Sequence, residues 1–139
     1  MLINVDDVML NKAAIIERSI RRALEEFQQD PTLTKFTHID ALTLNIERAC
    51  QAAIDLAIHI CSVSHLGIPQ TSADAFRILE KSQILSKETA KAMVAMVGFR
   101  NVAIHEYQQM DMAVLRSIAE EGWKSLVHYV AELGMVIRP

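Results

Sequence analysis

The stretch DALTLNIERACQAAIDLAIHICSVS, residues 40–64, sets the architecture of this chain. Its apolar side chains recur at alternating steps of four and three residues, which is the period of one face of an α-helix. A stripe of this length predicts a long helix that packs against antiparallel neighbours in a bundle. The members of the stripe are Leu42, Ile46, Ala49, Ala53, Leu56, Ile60 and Val63.

Four more helical segments surround this one, over about residues 6–28, 72–82, 87–108 and 112–133. Each is bounded by residue types that begin or end helices. The predicted boundaries are the N-caps Thr71 or Ser72, Ser86 and Asp111, and the stops Asp30-Pro31 and Gly134. The composition also favours helix, with only four glycines, three prolines and 5% aromatic residues. We therefore predict one all-α domain, residues 1–139, built as an up-and-down bundle of four to five helices.

The net charge of −3 argues against a protein that coats nucleic acids generally, since such proteins are usually basic. Any contact with RNA must then come from a local basic patch. The best candidate is the cluster Arg18, Arg21 and Arg22, for which a solvated helix face is the simpler interpretation. Acidic residues are predicted to neutralise most of it through the i,i+4 pairs Glu17/Arg21, Arg21/Glu25 and Arg22/Glu26.

Two cysteines and the absence of long apolar runs indicate the compartment. Cys50 and Cys61 lie eleven residues apart in one predicted helix, too far for a disulfide, so we expect reduced thiols in the core. The first twelve residues are acidic and lack the apolar centre of a signal peptide. No uncharged apolar run reaches about 18 residues, so we expect a cytoplasmic protein without a membrane span.

The polar motif lies in the fourth predicted helix, in the run GFRNVAIHEY, residues 98–107. A helix that is apolar on every side must be covered on all sides, and polar side chains in it need partners or belong to a site. On a helical wheel Arg100, Asn101, His105 and Tyr107 fit within a sector of about 160°. One half of the helix can face the chain's own bundle, so we predict that the other half meets a second copy in a homodimer.

Arg100 and His105 are residue types that suit RNA cleavage without a metal. The 2′-hydroxyl attacks the neighbouring phosphorus, which needs a base, an acid and a cation. Histidine titrates near neutral pH, and arginine offers a forked cationic donor to phosphate oxygens. One histidine cannot readily be base and acid in the same step, and a twofold dimer supplies the second. Asn101 can orient His105 or donate to the phosphate, and Tyr107 can stack on a base or bond a phosphate.

A structural interpretation of these residues stays open. A lone histidine on an apolar helix is more often a core or interface residue than a catalyst. The alternative is a non-catalytic helical interaction module, with the fourth helix as its dimer seam and Arg100 and His105 in structural hydrogen bonds.

Other titratable residues do not complete a site in the sequence. Cys61/His65 and Asp55/His59 are i,i+4 pairs, but zinc needs three or four ligands and no completing group is evident. We therefore predict no metal and no cofactor. His38 and His128 are isolated in the sequence and are predicted to lie on the surface.

The run MVGFRNVAIHEY, residues 96–107, resembles the signature of the HEPN superfamily, and most of all its HepT branch. Residues 47–60 resemble the family's long second helix, and residues 67–79 its next connection and short helix. The resemblance implies an all-helical homodimer that acts as the metal-independent ribonuclease toxin of a toxin–antitoxin pair.

The resemblance also implies a partner and a role for each motif residue. The partner is an MntA-like minimal nucleotidyltransferase antitoxin, which transfers AMP from ATP to the motif tyrosine. Carried onto this sequence, Arg100 and His105 are catalytic, Asn101 supports them and Tyr107 is the AMP acceptor. An AMP group there would place negative phosphate beside the pair that must hold the RNA phosphate. An inactive relative that only binds the nucleotidyltransferase is a further alternative.

Overall fold

Six α-helices make up the computed structural model of this protein, which describes residues 3–139. They are α1 (Asp7–Gln29), α2 (Phe36–Val63), α3 (Ser72–Lys81), α4 (Lys87–His105), α5 (Met112–Ser117) and α6 (Lys124–Glu132). A 3₁₀ turn, Tyr107–Gln109, follows α4, and a π-helical turn, Ile118–Gly122, joins α5 to α6. The described residues contain no strand, so the predicted all-α class is confirmed.

The predicted fifth helix is present but divided, because one turn of it is π-helical. Ser117, Ile118 and Trp123 keep right-handed helical backbone angles, so α5 and α6 continue one another across that turn. Asp111 is the predicted cap and accepts a hydrogen bond from the Ala113 amide at 2.8 Å. The bundle therefore has six α-helices rather than four to five among the described residues, although the helical stretch itself was predicted.

The long helices α1 and α2 run antiparallel along their length. Three side-chain pairs bridge them, namely Asp6–His59 at 2.6 Å, Lys12–Asp55 at 3.4 Å and Glu26–His38 at 2.6 Å. The position of the partner falls on α2 as it rises on α1, which fixes the direction. The prediction that His38 is isolated on the surface is wrong, because it is half-buried against Glu26, whereas His128 is exposed as predicted.

Helix α2 is the centre of the core and packs against α1, α3 and α4. Its predicted stripe is buried from Leu42 to Ile60, but Val63 at the helix end is 48% exposed. Tyr129 of α6 is completely buried, donates its hydroxyl to the Ala53 carbonyl at 2.8 Å, and sets its ring edge-on to Phe76 of α3. These contacts hold α6 against α2 and α3.

The predicted helix boundaries agree with the structure at most ends. Thr71 rather than Ser72 caps α3, Ser86 caps α4, and Gly134 stops α6 with a φ of +93°. Helix α2 begins at Phe36, four residues before the predicted start, and its N-cap Lys35 makes no side-chain capping bond.

Both cysteines are buried free thiols, as expected, and burial raises the pKa of Cys50 to about 12. No helix among residues 3–139 has the length and hydropathy needed to cross a bilayer.

The turn between α1 and α2 depends on the carboxylate of Asp30, which is only 4% exposed. This carboxylate accepts hydrogen bonds from the backbone amides of Lys35 at 2.8 Å and Thr34 at 2.9 Å. The bonds to the charged form, led by that of Lys35, hold the pKa of Asp30 below its usual range. The stability they contribute is present above the pKa of the unfolded chain and is lost as the pH falls through the lower folded value.

We therefore expect Asp30→Asn to lower the urea midpoint at pH 6 and to weaken its dependence on pH between about 5 and 2. Urea unfolding of the parent and the variant at both ends of that range measures this. Parallel loss of stability in the two proteins on acidification would contradict the assignment.

Candidate active site at the end of helix α4

Arg100 lies in the last turns of α4 and is turned toward α2. It is half-buried, and its charge acts on Glu47 and Cys50 of that helix. Burial raises the pKa of the Glu47 carboxyl, and the charge of Arg100 opposes that rise. Within residues 3–139 Arg100 makes no ion pair, and its buried Nε has no hydrogen-bond partner. The guanidinium therefore keeps donors available for an anion.

Asn101 and His105 lie on the outward side of the same helix. Both are exposed and stand one turn apart at i,i+4, as predicted. His105 is the last residue of α4 and is rotated by about 140° from Arg100 around the helix axis. A single copy therefore presents its arginine and its histidine toward different directions.

Tyr107 lies outside the helix, and its predicted place on the α4 wheel is wrong. The backbone leaves helical geometry at Glu106, with φ −138° and ψ 44°, so α4 ends at His105 rather than near residue 108. Tyr107 begins the 3₁₀ turn and donates its hydroxyl to the Asp40 carboxylate of α2. Burial and this bond to Asp40 raise the pKa of Tyr107 to about 12, so the phenol is protonated at neutral pH.

Two carboxylates of α2, which were not predicted as part of the site, complete this cluster. Asp40 holds Tyr107, and Glu47 lies close enough to influence both Tyr107 and Arg100. Their spacing of seven residues puts them on one face of α2. That spacing on a long apolar helix was a signal in the sequence, but the residues they meet lie more than fifty positions away.

The pairs considered as metal ligands are engaged elsewhere. His59 bonds to Asp6, and Asp55 bonds to Lys12 and Gln51. The Cys61 thiol donates to a backbone carbonyl of α3 at 3.8 Å. The part of the chain that the structure describes holds no group of three or more histidine, cysteine or acidic residues placed to bind a metal ion.

The fold and this cluster define a class of protein: an all-α bundle with an arginine and a histidine at the end of its fourth helix. The model of the family described as "Ribonuclease HepT-like" matches residues 9–133. The chain therefore belongs to the HepT-like ribonucleases, the HEPN toxins of MntA–HepT toxin–antitoxin systems.

Two curated relatives are similar to this chain. The mRNA nuclease HepT of Shewanella oneidensis is 32% identical over 132 residues, which cover 91% of this chain and 96% of the relative. The tRNA nuclease HepT of Aphanizomenon flos-aquae is 34% identical over 90 residues, which cover 65% of this chain and 61% of the relative.

Solved structures share the fold over more than nine tenths of the chain. A tri-AMPylated HEPN toxin of Shewanella oneidensis, in complex with MNT antitoxin, superposes with a TM-score of 0.88 at 30% identity and covers 93% of this chain and 98% of its own. A toxin–antitoxin structure with AMP-PNP gives a TM-score of 0.88 at 29% identity and covers 93% and 99%.

Proposed function

We propose that two copies of this chain form one RNA-cleaving cleft, to which each copy contributes Arg100 and His105. One observation carries this proposal. The end of α4 holds a half-buried arginine, whose Nε has no hydrogen-bond partner, and an exposed histidine, and the two side chains point in different directions. Two such ends related by a twofold axis bring the second histidine that the chemistry needs.

In this cleft the cleavage proceeds without a metal ion. One His105 takes the proton of the 2′-hydroxyl, and the 2′-oxygen forms a bond to the adjacent phosphorus. The bond from phosphorus to the 5′-oxygen breaks, and the partner's His105 protonates the leaving oxygen. The guanidinium of Arg100 stabilises the charge that builds on the phosphoryl oxygens. The products are a 2′,3′-cyclic phosphate and a 5′-hydroxyl, and Asn101 orients the neighbouring imidazole.

The outward face of α4 is the surface on which we place the dimer axis. Between residues 92 and 105 the only fully charged side chain is Arg100, which is turned inward. The exposed positions on the outward side include Ala95, Gly98 and Asn101. A surface helix normally carries charges there, so a small and uncharged face favours close contact with another helix.

Gly98 gives this surface a direct test, because a Cβ atom added there meets nothing within 4 Å in the protomer. We expect Gly98→Arg to fold normally, since arginine is a better helix former than glycine. The bulky cation should separate the two copies and lower RNA cleavage by at least about 100-fold, because each histidine then acts alone. Sedimentation should show a fall in mass from twice 15.6 kDa to 15.6 kDa.

Ala131→Arg is the matched control, since it places the same side chain on an exposed position of α6. It should keep both the dimer and the cleavage of RNA in the presence of a chelator. A parent protein that sediments as a single chain, or a Gly98→Arg variant that remains a fully active dimer, would contradict the proposal.

We also propose that an MntA-like nucleotidyltransferase silences the toxin at Tyr107. The chain has two tyrosines, and Tyr129 is fully buried, whereas Tyr107 is 40% exposed at the cluster. The Tyr107 oxygen attacks the α-phosphorus of ATP, pyrophosphate leaves, and Asp40 accepts the phenolic proton. The new phosphodiester adds a negative charge and a nucleotide where the RNA phosphate must bind.

A further inference from the structure

A groove between α1 and α2, on another side of α2 from Tyr107, has four cationic side chains in its lining. It encloses about 380 Å³. Lys12, Arg18 and Arg22 of α1 form one wall, and Arg48 and Asp55 of α2 belong to the other. Four positive charges and one negative charge thus face a single cavity.

Most of the positive charge in this groove is not neutralised. Lys12 pairs with Asp55 at 3.4 Å. Arg18, Arg22 and Arg48 take part in no ion pair within the described residues. The pairing predicted between Arg22 and Glu26 is wrong, because the carboxylate of Glu26 bonds to His38 instead.

The arginine cluster predicted from the sequence therefore divides into two parts. Arg21 pairs with Glu17 at 3.6 Å and does not line the groove. Arg18 and Arg22 have no ion-pair partner among the described residues, and Arg48 joins them in the groove from α2. In a chain whose net charge is −3, this is a concentrated positive surface.

The groove adjoins the candidate active site through α2. Arg48 directly follows Glu47, and Gln51 directly follows Cys50, the two residues on which the charge of Arg100 acts. Successive residues of a helix point about 100° apart, so the face with the groove is next to the face with the site. A flexible strand held at Arg100 can pass around α2 into the groove.

We propose that this groove binds backbone phosphates of the RNA strand on one side of the bond that is cleaved. The inference rests on the proposed nuclease function and extends it to a second binding site. Arginine forks match phosphate oxygens, and no aromatic side chain lines the cavity for a base to stack on. The groove therefore contributes affinity that does not depend on base sequence.

The binding test uses a 2′-O-methyl oligonucleotide, which lacks the attacking hydroxyl and so binds without being cut. We expect the double variant Arg22→Gln/Arg48→Gln to bind it about tenfold more weakly at moderate salt. The slope of log affinity against log salt concentration should fall by about 1.4, since each lost phosphate contact removes about 0.7 on single strands. Fluorescence anisotropy over a salt series measures both quantities.

Two further variants give the test a matched control and an opposite sign. Arg21→Gln removes the same charge from the same helix outside the groove and should leave affinity and slope unchanged. Asp55→Asn removes the groove's one carboxylate and should tighten RNA binding about two- to threefold, which a purely structural role of these residues does not produce.

Cleavage of a dinucleotide separates this inference from the proposed nuclease function. A dinucleotide is too short to reach from the cleft into the groove. The double variant should therefore cut it at the parent rate and show a raised KM only on long RNA. If the parent cuts neither substrate, the nuclease proposal fails, while the binding measurements still decide on the groove. The inference would be overturned if the double variant bound RNA with the same affinity and salt slope as the parent. It would also be overturned if the variant lost antitoxin binding while its RNA binding stayed intact.

Discussion

Replacing His105 with alanine is expected to lower RNA cleavage by about 10³-fold, because the two copies of His105 are the base and the acid of the proposed cleft. The side chain is exposed at the end of α4, so its loss should leave the melting temperature and the dimer unchanged. Single-turnover cleavage of a labelled RNA, with identification of the 2′,3′-cyclic phosphate end, measures the effect.

The matched control for this prediction is His128→Ala, which removes an exposed histidine from α6. It should cut RNA at the parent rate. A structural role for His105, as in a non-catalytic interaction module, predicts instead a weaker dimer or a less stable fold. A His105→Ala protein as nucleolytic and as toxic as the parent would remove the catalytic assignment.

Tyr107→Phe is expected to abolish AMP transfer to the toxin and so to leave it active in the presence of its antitoxin. The variant lacks the only exposed phenol, and Tyr129 cannot replace it because its hydroxyl is buried and donates to the Ala53 carbonyl. Incubation with ATP and the nucleotidyltransferase, followed by intact-mass measurement, should show whole AMP units on the parent and none on the variant.

Asp40→Asn refines that prediction, because it keeps the shape of the side chain that holds Tyr107 but removes the proton acceptor. With the pKa of Tyr107 raised to about 12, the phenol must lose its proton during transfer. We expect slower AMP transfer in this variant, with more recovery at high pH than the parent gains. An adduct on a residue other than Tyr107 would overturn the acceptor assignment.

The sequence predicted those features of the fold that depend on residues close together in the chain. The buried stripe of α2 and the caps Ser86 and Asp111 depend on residues within one or two turns, so their signals are complete in the sequence. The π turn between α5 and α6 could not be predicted, because Ser117 and Trp123 are both helical in conformation and only the hydrogen-bond pattern changes between them.

The sequence predicted that the four motif residues share one helix, which holds for Arg100, Asn101 and His105 but not for Tyr107. A helical wheel assumes that the helix continues, and it ends two residues before Tyr107. That tyrosine instead bonds to Asp40, which lies 67 positions away in the sequence. The same holds for the basic groove, because Glu26 turns to His38 across the α1–α2 turn and leaves Arg22 uncompensated. Such long-range partners are set by packing and have no local signal.

Charge is unevenly distributed around α2, and the proposed RNA binding and the proposed modification of Tyr107 use different parts of it. Its face toward α4 carries Asp40 and Glu47, which hold Tyr107 and face Arg100, and the adjacent face carries Arg48. We expect the RNA to be held by Arg100 at the face toward α4 and by Arg48 at the adjacent face. An AMP group attached to Tyr107 then competes with the RNA at Arg100 but not in the groove.

The most direct test of the proposed shared cleft is a mixing experiment with parent and His105→Ala subunits co-expressed in equal amounts. Random pairing leaves about one quarter of the dimers with both histidines, so a cleft that needs an acid and a base should retain about one quarter of the parent activity. A mixture that retains about one half of the parent activity would contradict the account, because each copy would then cleave RNA with its own histidine alone.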